Sequence, residues 1–172
     1  MPDLAEFNRA TDDDLRSWLM PLTAATDWAD ALVERRPYDD LDALLATSDE
    51  VVLGLPESQV EAALAGHPRI GEKAAGLDEN SAARSAREQA GMSRAEASLQ
   101  EAMAEGNADY EARFGRIYLV AAAGRSAEDL LGLLHDRLGN APEAELVVVR
   151  SELARISRLR LTELLTVREG SR

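Results

Sequence analysis

The chain has 172 residues, a formal charge of −13 and no cysteine, and 45% of its residues are apolar. This length supports one domain with a sizeable core, and the composition is not that of a disordered chain. The acid excess argues against a nucleic-acid partner, and two histidines without cysteine argue against disulfides, thiolate chemistry and a zinc site.

In chain order, Leu4 to Ala10 can make a short first helix. Thr11 is a good N-cap for the second, whose first turn carries Asp12, Asp13 and Asp14 and whose inner side carries Leu15, Trp18, Leu19 and Leu22. Thr26 and Asp27 start a third helix, with Trp28, Ala31 and Leu32 inward and Pro37 closing it. A fourth runs from about Asp40, with Leu41, Leu44 and Leu45 at helical spacing. Val51-Val52-Leu53 can be read as a short strand, although helical pattern flanks it.

Pro56 opens a fifth helix with Val60, Ala63 and Leu64 on one face, ended by Gly66. Pro68 forbids further helix and biases His67 toward an extended conformation, so His67 occupies a stiff corner. A group that titrates near neutrality on such a corner can be a general acid or base, or simply a capping histidine near a helix end.

Gly71 to Asn80 reads as a loop, and Ser81 to Gly91 as an Ala-rich helix with no large aliphatic residue. Ser93 and Glu96 form a capping-box pattern that opens the next helix, with a stripe of Leu99, Met103, Tyr110 and Phe114 and with Asn107 at its edge. Gly106-Asn107 can instead be a turn that splits this helix. Gly115 stops it, and an apolar run from Ile117 to Ala123 follows. Ser126 with Asp129 restarts a helix bearing Leu130, Leu131, Leu134 and Leu138, and Pro142 suits the first turn of the last helix. With no repeat, linker or low-complexity tract, the expectation is all-α: a single compact multi-helix domain over 1–172. No leader pattern opens the chain and no apolar run could span a bilayer, so the expected location is cytoplasmic, without a membrane partner.

Two helices carry residues that their own pattern does not explain. In the last, Leu146, Val149, Leu153, Ile156, Leu164 and Val167 share a face, and Arg160 falls at its centre. A buried guanidinium needs an anionic partner, either a structural salt bridge or the carboxylate of a ligand. In the Ala-rich helix, Ser85, Glu88 and Gln89 share a face and offer a hydroxyl, a carboxylate and an amide. That set suits a heteroatom-rich ligand, or equally an ordinary solvated face.

These residues fall into an ordered set of motifs: HPRIG at 67–71, Ser85-x-x-Glu88-Gln89, Asn107-x-x-Tyr110-x-x-Arg113-Phe114-Gly115, and Ile156-x-x-x-Arg160-Leu161. Arg36-Pro37-Tyr38 adds a fifth, upstream of the others. Over most of its length the chain resembles the 2-oxo-4-hydroxy-4-carboxy-5-ureidoimidazoline (OHCU) decarboxylases of urate degradation, a cofactor-free, all-helical family. The resemblance implies conversion of OHCU to (S)-allantoin and carbon dioxide, with His67 as the acid/base and Glu88 and Arg160 as its catalytic companions. It further implies substrate contacts at Pro68, Ser85 and Gln89 and along the backbone of Tyr118, Leu119, Val120, Ala121 and Ala122. Arg116-Ile117 stand where relatives often have Phe-Pro. The family often forms homodimers, though no heptad seam demands one here. Two other readings stay open: a non-catalytic helical interaction or oligomerisation module, and the same fold acting on a related ureido acid.

Overall fold

Short polar caps set most of the helix starts. In a computed structural model, residues 2–70 and 86–166 are described, the side chains of 86–95 and 166 excepted. Asp3 opens α1 (Leu4–Arg9) through a reciprocal capping box with Glu6. Thr11 caps α2 (Asp12–Leu19) and Asp40 caps α4 (Leu41–Leu53), each side chain accepting a backbone N–H of the first turn. α3 (Thr26–Glu34) has no side-chain cap, and α5 (Glu57–Leu64) begins after Pro56. α6 (Ala86–Phe114), α7 (Ala127–Leu138) and α8 (Pro142–Thr166) complete eight helices among the described residues, which contain no strand. The all-α expectation is met.

Internal contacts group the chain into two compact units, 1–67 with 143–172, and 68–142. The first holds α1 to α5 and α8. Its α2 packs on α3 and α3 on α4, and Phe7, Leu15, Leu19, Trp28, Leu32, Leu44 and Leu153 are fully buried. Inside it the Trp28 indole N–H donates to the Ser48 hydroxyl at 2.9 Å. Arg36 donates to the carbonyls of Val33 and Ala10 at 2.9 and 2.7 Å and also binds Asp12. The buried Tyr38 hydroxyl donates to the Leu32 carbonyl at 3.0 Å, and burial pushes its pKa up to about 12. The Arg-Pro-Tyr motif is thus a structural corner, closing α3 onto the N-terminal helices.

The second unit is built on α6 packed against α7. Met103, Tyr110, Tyr118, Val120, Leu130 and Leu134 form its core, with Ile70, Phe114, Leu131, Leu133 and Leu138 around them. The three large rings interlock, with Tyr110 centred 4.7 Å from Phe114 and 5.4 Å from Tyr118.

Two open alternatives close in favour of helix, and one expectation, the helix start at Ser93, is corrected. Val51-Val52-Leu53 is the last turn of α4 and not a strand; Val52 is buried there while Leu53 is half exposed. Ser93 does not open a helix, because α6 runs unbroken from Ala86 through it. Nor does Gly106 split α6. A Cβ at Gly106 would lie 2.6 Å from Leu134 Cδ2, so the glycine is there to let α7 approach. The capping-box and turn patterns were real residue types in positions where tertiary packing prevails. Gly115, by contrast, does end α6 as expected, at a φ of 70° that suits glycine. The expected loop from Gly71 to Asn80 lies outside the described residues.

Candidate active site

The His67 corner forms as its sequence dictates. After α5 the chain turns, with Ala65 N–H donating to Glu61 and His67 N–H to the Leu64 carbonyl at 3.0 Å. The imidazole is partly buried. Burial pushes its pKa below the ordinary histidine value, and the nearby Arg160 guanidinium lowers it further. Both effects favour the neutral imidazole at pH 7.

Arg160 reaches this neighbourhood from α8, in the same unit. The buried side of α8 follows Glu145, Val149, Leu153, Ser157, Leu161 and Leu165, a row of fours. Arg160 therefore lies at the margin, half-buried, rather than at the centre of the buried face. Ser157, a polar residue outside the apolar pattern, is fully buried and shares a 2.6 Å hydrogen bond with Thr23. One turn on, Arg160 Nη1 donates to the Leu22 carbonyl. These two bonds hold α8 to the loop after α2, while Arg150 Nε to the Leu55 carbonyl at 2.9 Å and Arg158 to Asp49 at 2.7 Å hold it to the end of α4. Among the described residues no carboxylate pairs with Arg160. The structural salt bridge weighed for it is therefore not found among them.

Of the remaining predicted positions, Pro68 is exposed at the start of the second unit. Glu88 and Gln89 are in α6, with their side chains outside the described residues, and Ser85 lies outside them altogether. Tyr118 to Ala122 form an irregular strip between α6 and α7. The Tyr118, Leu119 and Val120 side chains are buried, and Ala122 is exposed. The Tyr118 hydroxyl donates to the Leu130 carbonyl at 3.0 Å, and Arg125 donates to the Ala121 carbonyl at 3.2 Å.

The motifs contain Asn107 and Arg69 but gave them no role, and a further residue of this second unit was not singled out at all. Asn107, 6% exposed, donates from Nδ2 to the Ile70 carbonyl at 2.8 Å, and Arg69 forms a two-point ion pair with Glu111 one turn along α6. Together they strap the Arg69-Ile70 part of the histidine motif onto α6. A pocket of about 200 Å³ lies beside this strap, lined by Arg69, Ile70, Gln100, Asn107 and Glu111. The other residue is Arg137, buried among the tyrosines. Its signal was in the sequence, because 130, 134 and 137 share one face of α7 just as 156 and 160 do on α8.

The family model described as OHCU decarboxylase matches residues 8–162, across both units. OHCU decarboxylase of Amia calva is 30% identical over 150 residues, covering 84% of this chain and 81% of that protein. The Mus musculus enzyme of the same name is 33% identical over 150 residues, with 84% and 79% covered. A bifunctional uric acid degradation protein of Arabidopsis thaliana is 33% identical over 104 residues; the match covers 59% of this chain but only 32% of that longer protein. A crystal structure of OHCU decarboxylase in the presence of (S)-allantoin superposes with a TM-score of 0.68 at 22% identity, covering 91% of this chain and 99% of that one. One of (S)-allantoin synthase gives 0.70 at 17% identity, covering 95% and 54%. Both share the fold. No helix among the described residues is long and apolar enough to cross a membrane. From the histidine corner, the arginine beside it and a family match over most of its length, the chain belongs to the OHCU decarboxylase family.

Proposed function

We propose that this chain decarboxylates OHCU to (S)-allantoin in urate degradation, with His67 and Arg160 as its central pair. The observation that carries this reading is a neutral, partly buried imidazole beside a guanidinium that no carboxylate of the described residues neutralises. Such a pair suits a substrate that brings its own negative charge together with a proton to be moved.

The substrate carries a hydroxyl and a carboxylate on one ring carbon, next to the ureido-bearing carbon of a ring imine. Arg160 positions the anion. As the bond to the carboxylate breaks, its electron pair forms a double bond to the ureido-bearing carbon, and the imine electrons move onto the ring nitrogen. Carbon dioxide leaves. His67, neutral beforehand, accepts the hydroxyl proton, so that oxygen becomes the product carbonyl, and returns that proton to the ureido-bearing carbon. The ring nitrogen takes up one proton from solvent, which closes the balance. A donor fixed on one side of the planar intermediate yields one enantiomer. Electrons end on the substrate's own ring, so the chemistry needs no external electron sink.

The other roles rest on the motifs. Glu88 orients the His67 proton transfer, Pro68, Ser85 and Gln89 contact the substrate, and backbone from Tyr118 to Ala122 meets its ring. A cytoplasmic setting, a homodimeric assembly and the absence of a nucleic-acid partner belong to the same reading, the last supported by the net charge of −13.

The test follows allantoin formation by circular dichroism, using OHCU made fresh from urate. Wild type should build the (S) enantiomer faster than the spontaneous reaction, and His67→Ala should lose about 10²–10⁴ of that acceleration. A wild-type trace that overlays the uncatalysed one refutes the activity. Full turnover in His67→Ala refutes the role of His67.

A further inference from the structure

Arg137 is the one buried arginine among the described residues, 6% exposed on the face of α7 that also carries Leu130 and Leu134. Its Cζ lies 4.8 Å from the Tyr118 ring centre and 5.7 Å from that of Tyr110. Nη1 donates to the Leu119 carbonyl at 2.7 Å, and Nη2 reaches the Tyr110 hydroxyl at 3.4 Å. A buried guanidinium is costly unless its donors are satisfied, and here part of that satisfaction comes from irregular backbone.

Residues 117–122 have no helix or strand ladder of their own, so side chains must hold them. The Tyr118 hydroxyl ties the strip to Leu130, Arg125 ties it at Ala121, and Arg137 grips it between those points at Leu119. The grip has a directional consequence. The Leu119 carbonyl and the Val120 N–H belong to one planar peptide, so fixing the oxygen fixes where the N–H points. Donation into that carbonyl also polarises the peptide and strengthens the N–H as a donor.

We infer that Arg137 is a positioning residue for substrate, setting the direction of the backbone strip that meets acceptor atoms of the ligand ring. This rests on the decarboxylase reading above. Arg137 acts through Leu119 and Val120 and takes no part in proton transfer. Its removal should therefore weaken substrate binding without moving the pH dependence of the chemistry.

The decisive variant is Arg137→Lys, which keeps the charge but loses the planar fork that stacks on a ring while bonding two oxygens. With the loss of about one hydrogen bond's worth of positioning, KM for OHCU should rise about ten-fold while kcat stays within roughly two-fold of wild type. The acidic limb of kcat/KM should stay where wild type has it. An unchanged KM in a folded Arg137→Lys protein overturns the inference, as does a fall in kcat at constant KM or a displaced limb. If far-ultraviolet circular dichroism shows Arg137→Lys unfolded, Tyr118→Phe decides. It removes the hydroxyl tether of the same strip and keeps the ring, and it should raise KM in the same pattern; an unchanged KM there overturns the inference. Wild type that leaves OHCU to decay spontaneously overturns the decarboxylase reading, and this inference with it. Active wild type with normal KM in the variants overturns the inference alone.

Discussion

Replacing Arg160 with Gln separates its two proposed effects, on the substrate anion and on His67. A guanidinium hydrogen-bonded to a carboxylate contributes about 1.5–3 kcal/mol. At about 1.4 kcal/mol per decade, its loss should lower kcat/KM by about 10- to 150-fold. The fold should survive. Arg160 is half-buried, and among the described residues it makes a single hydrogen bond, to the Leu22 carbonyl, so about 1 kcal/mol of stability is at stake, a drop in Tm of about 2–4 °C. The second effect is on pH dependence. Burial and the Arg160 charge both lower the His67 pKa, and neutral imidazole is the working form, so activity falls as pH falls through that pKa. Removing the charge leaves burial in place and raises the His67 pKa. The acidic limb of kcat/KM, which reports the free enzyme, should then move to higher pH. Arg160→Lys should keep the limb low while still losing rate, because it retains the charge without the fork. The assay is initial-rate circular dichroism of (S)-allantoin formation across pH, corrected for spontaneous decay at each value. A limb that stays put in Arg160→Gln, or moves to lower pH, refutes the electrostatic link between the two residues.

Gly106→Ala should destabilise despite alanine's helix advantage of about 1 kcal/mol, because its Cβ would sit 2.6 Å from a fully buried Leu134 and overpacking costs about 1–3 kcal/mol. Urea unfolding checks this, and a variant more stable than wild type by the full helix advantage would contradict the close approach of α7. Ser48→Ala removes the acceptor of the buried Trp28 indole N–H and should cost about 1–3 kcal/mol in the same assay; an unchanged midpoint would show that the indole finds another partner. His67 also predicts an acid-side loss of stability. Its pKa is lower folded than unfolded, so its contribution is fully present above the unfolded value, near 6.5, and is lost as pH falls through the folded one. Wild type should therefore lose more stability than His67→Ala on acidification through that range, by thermal unfolding at stepped pH; parallel losses would remove His67 from the account.

The fold was legible because its signals are local. Thr11, Asp40 and Ser126 mark helix starts with side chains that do cap, and the leucine spacings give the inner faces. Reading failed where one residue's fate depends on a partner far along the chain. Ser157 looks like surface until Thr23 satisfies it, and with 157 inside, the buried row of α8 leaves Arg160 at its edge. Gly106 left a break in α6 open as an alternative, and only the close packing of Leu134 gives the glycine its reason. Arg137 was passed over because Leu131 and Leu138 drew the face of α7 to one side of it, and its aromatic neighbours come from α6 and the strip after it. The pairing of His67 with Arg160 came from motif resemblance, since 93 positions separate them and no periodicity links a helix end to a helix middle.

The polar groups of the first unit divide by what satisfies them. Arg36 donates to two carbonyls and binds Asp12, Tyr38 serves Leu32, and Trp28 serves Ser48; these close corners of the fold and leave little for a ligand. Arg160 and His67 differ, because among the described residues the first bonds one carbonyl and no carboxylate, while burial and then the Arg160 charge lower the pKa of the second. On the proposed assignment this imbalance follows the reaction. An anionic substrate at Arg160 offsets the field that lowers the His67 pKa, so the imidazole becomes a better base once the site is loaded. Decarboxylation and protonation then leave a neutral product, the field returns, and the His67 pKa falls back to its value in the empty site. On this assignment the positive charge that no carboxylate of the described residues offsets is one that the anionic substrate offsets and the neutral product does not, which favours binding the first over retaining the second.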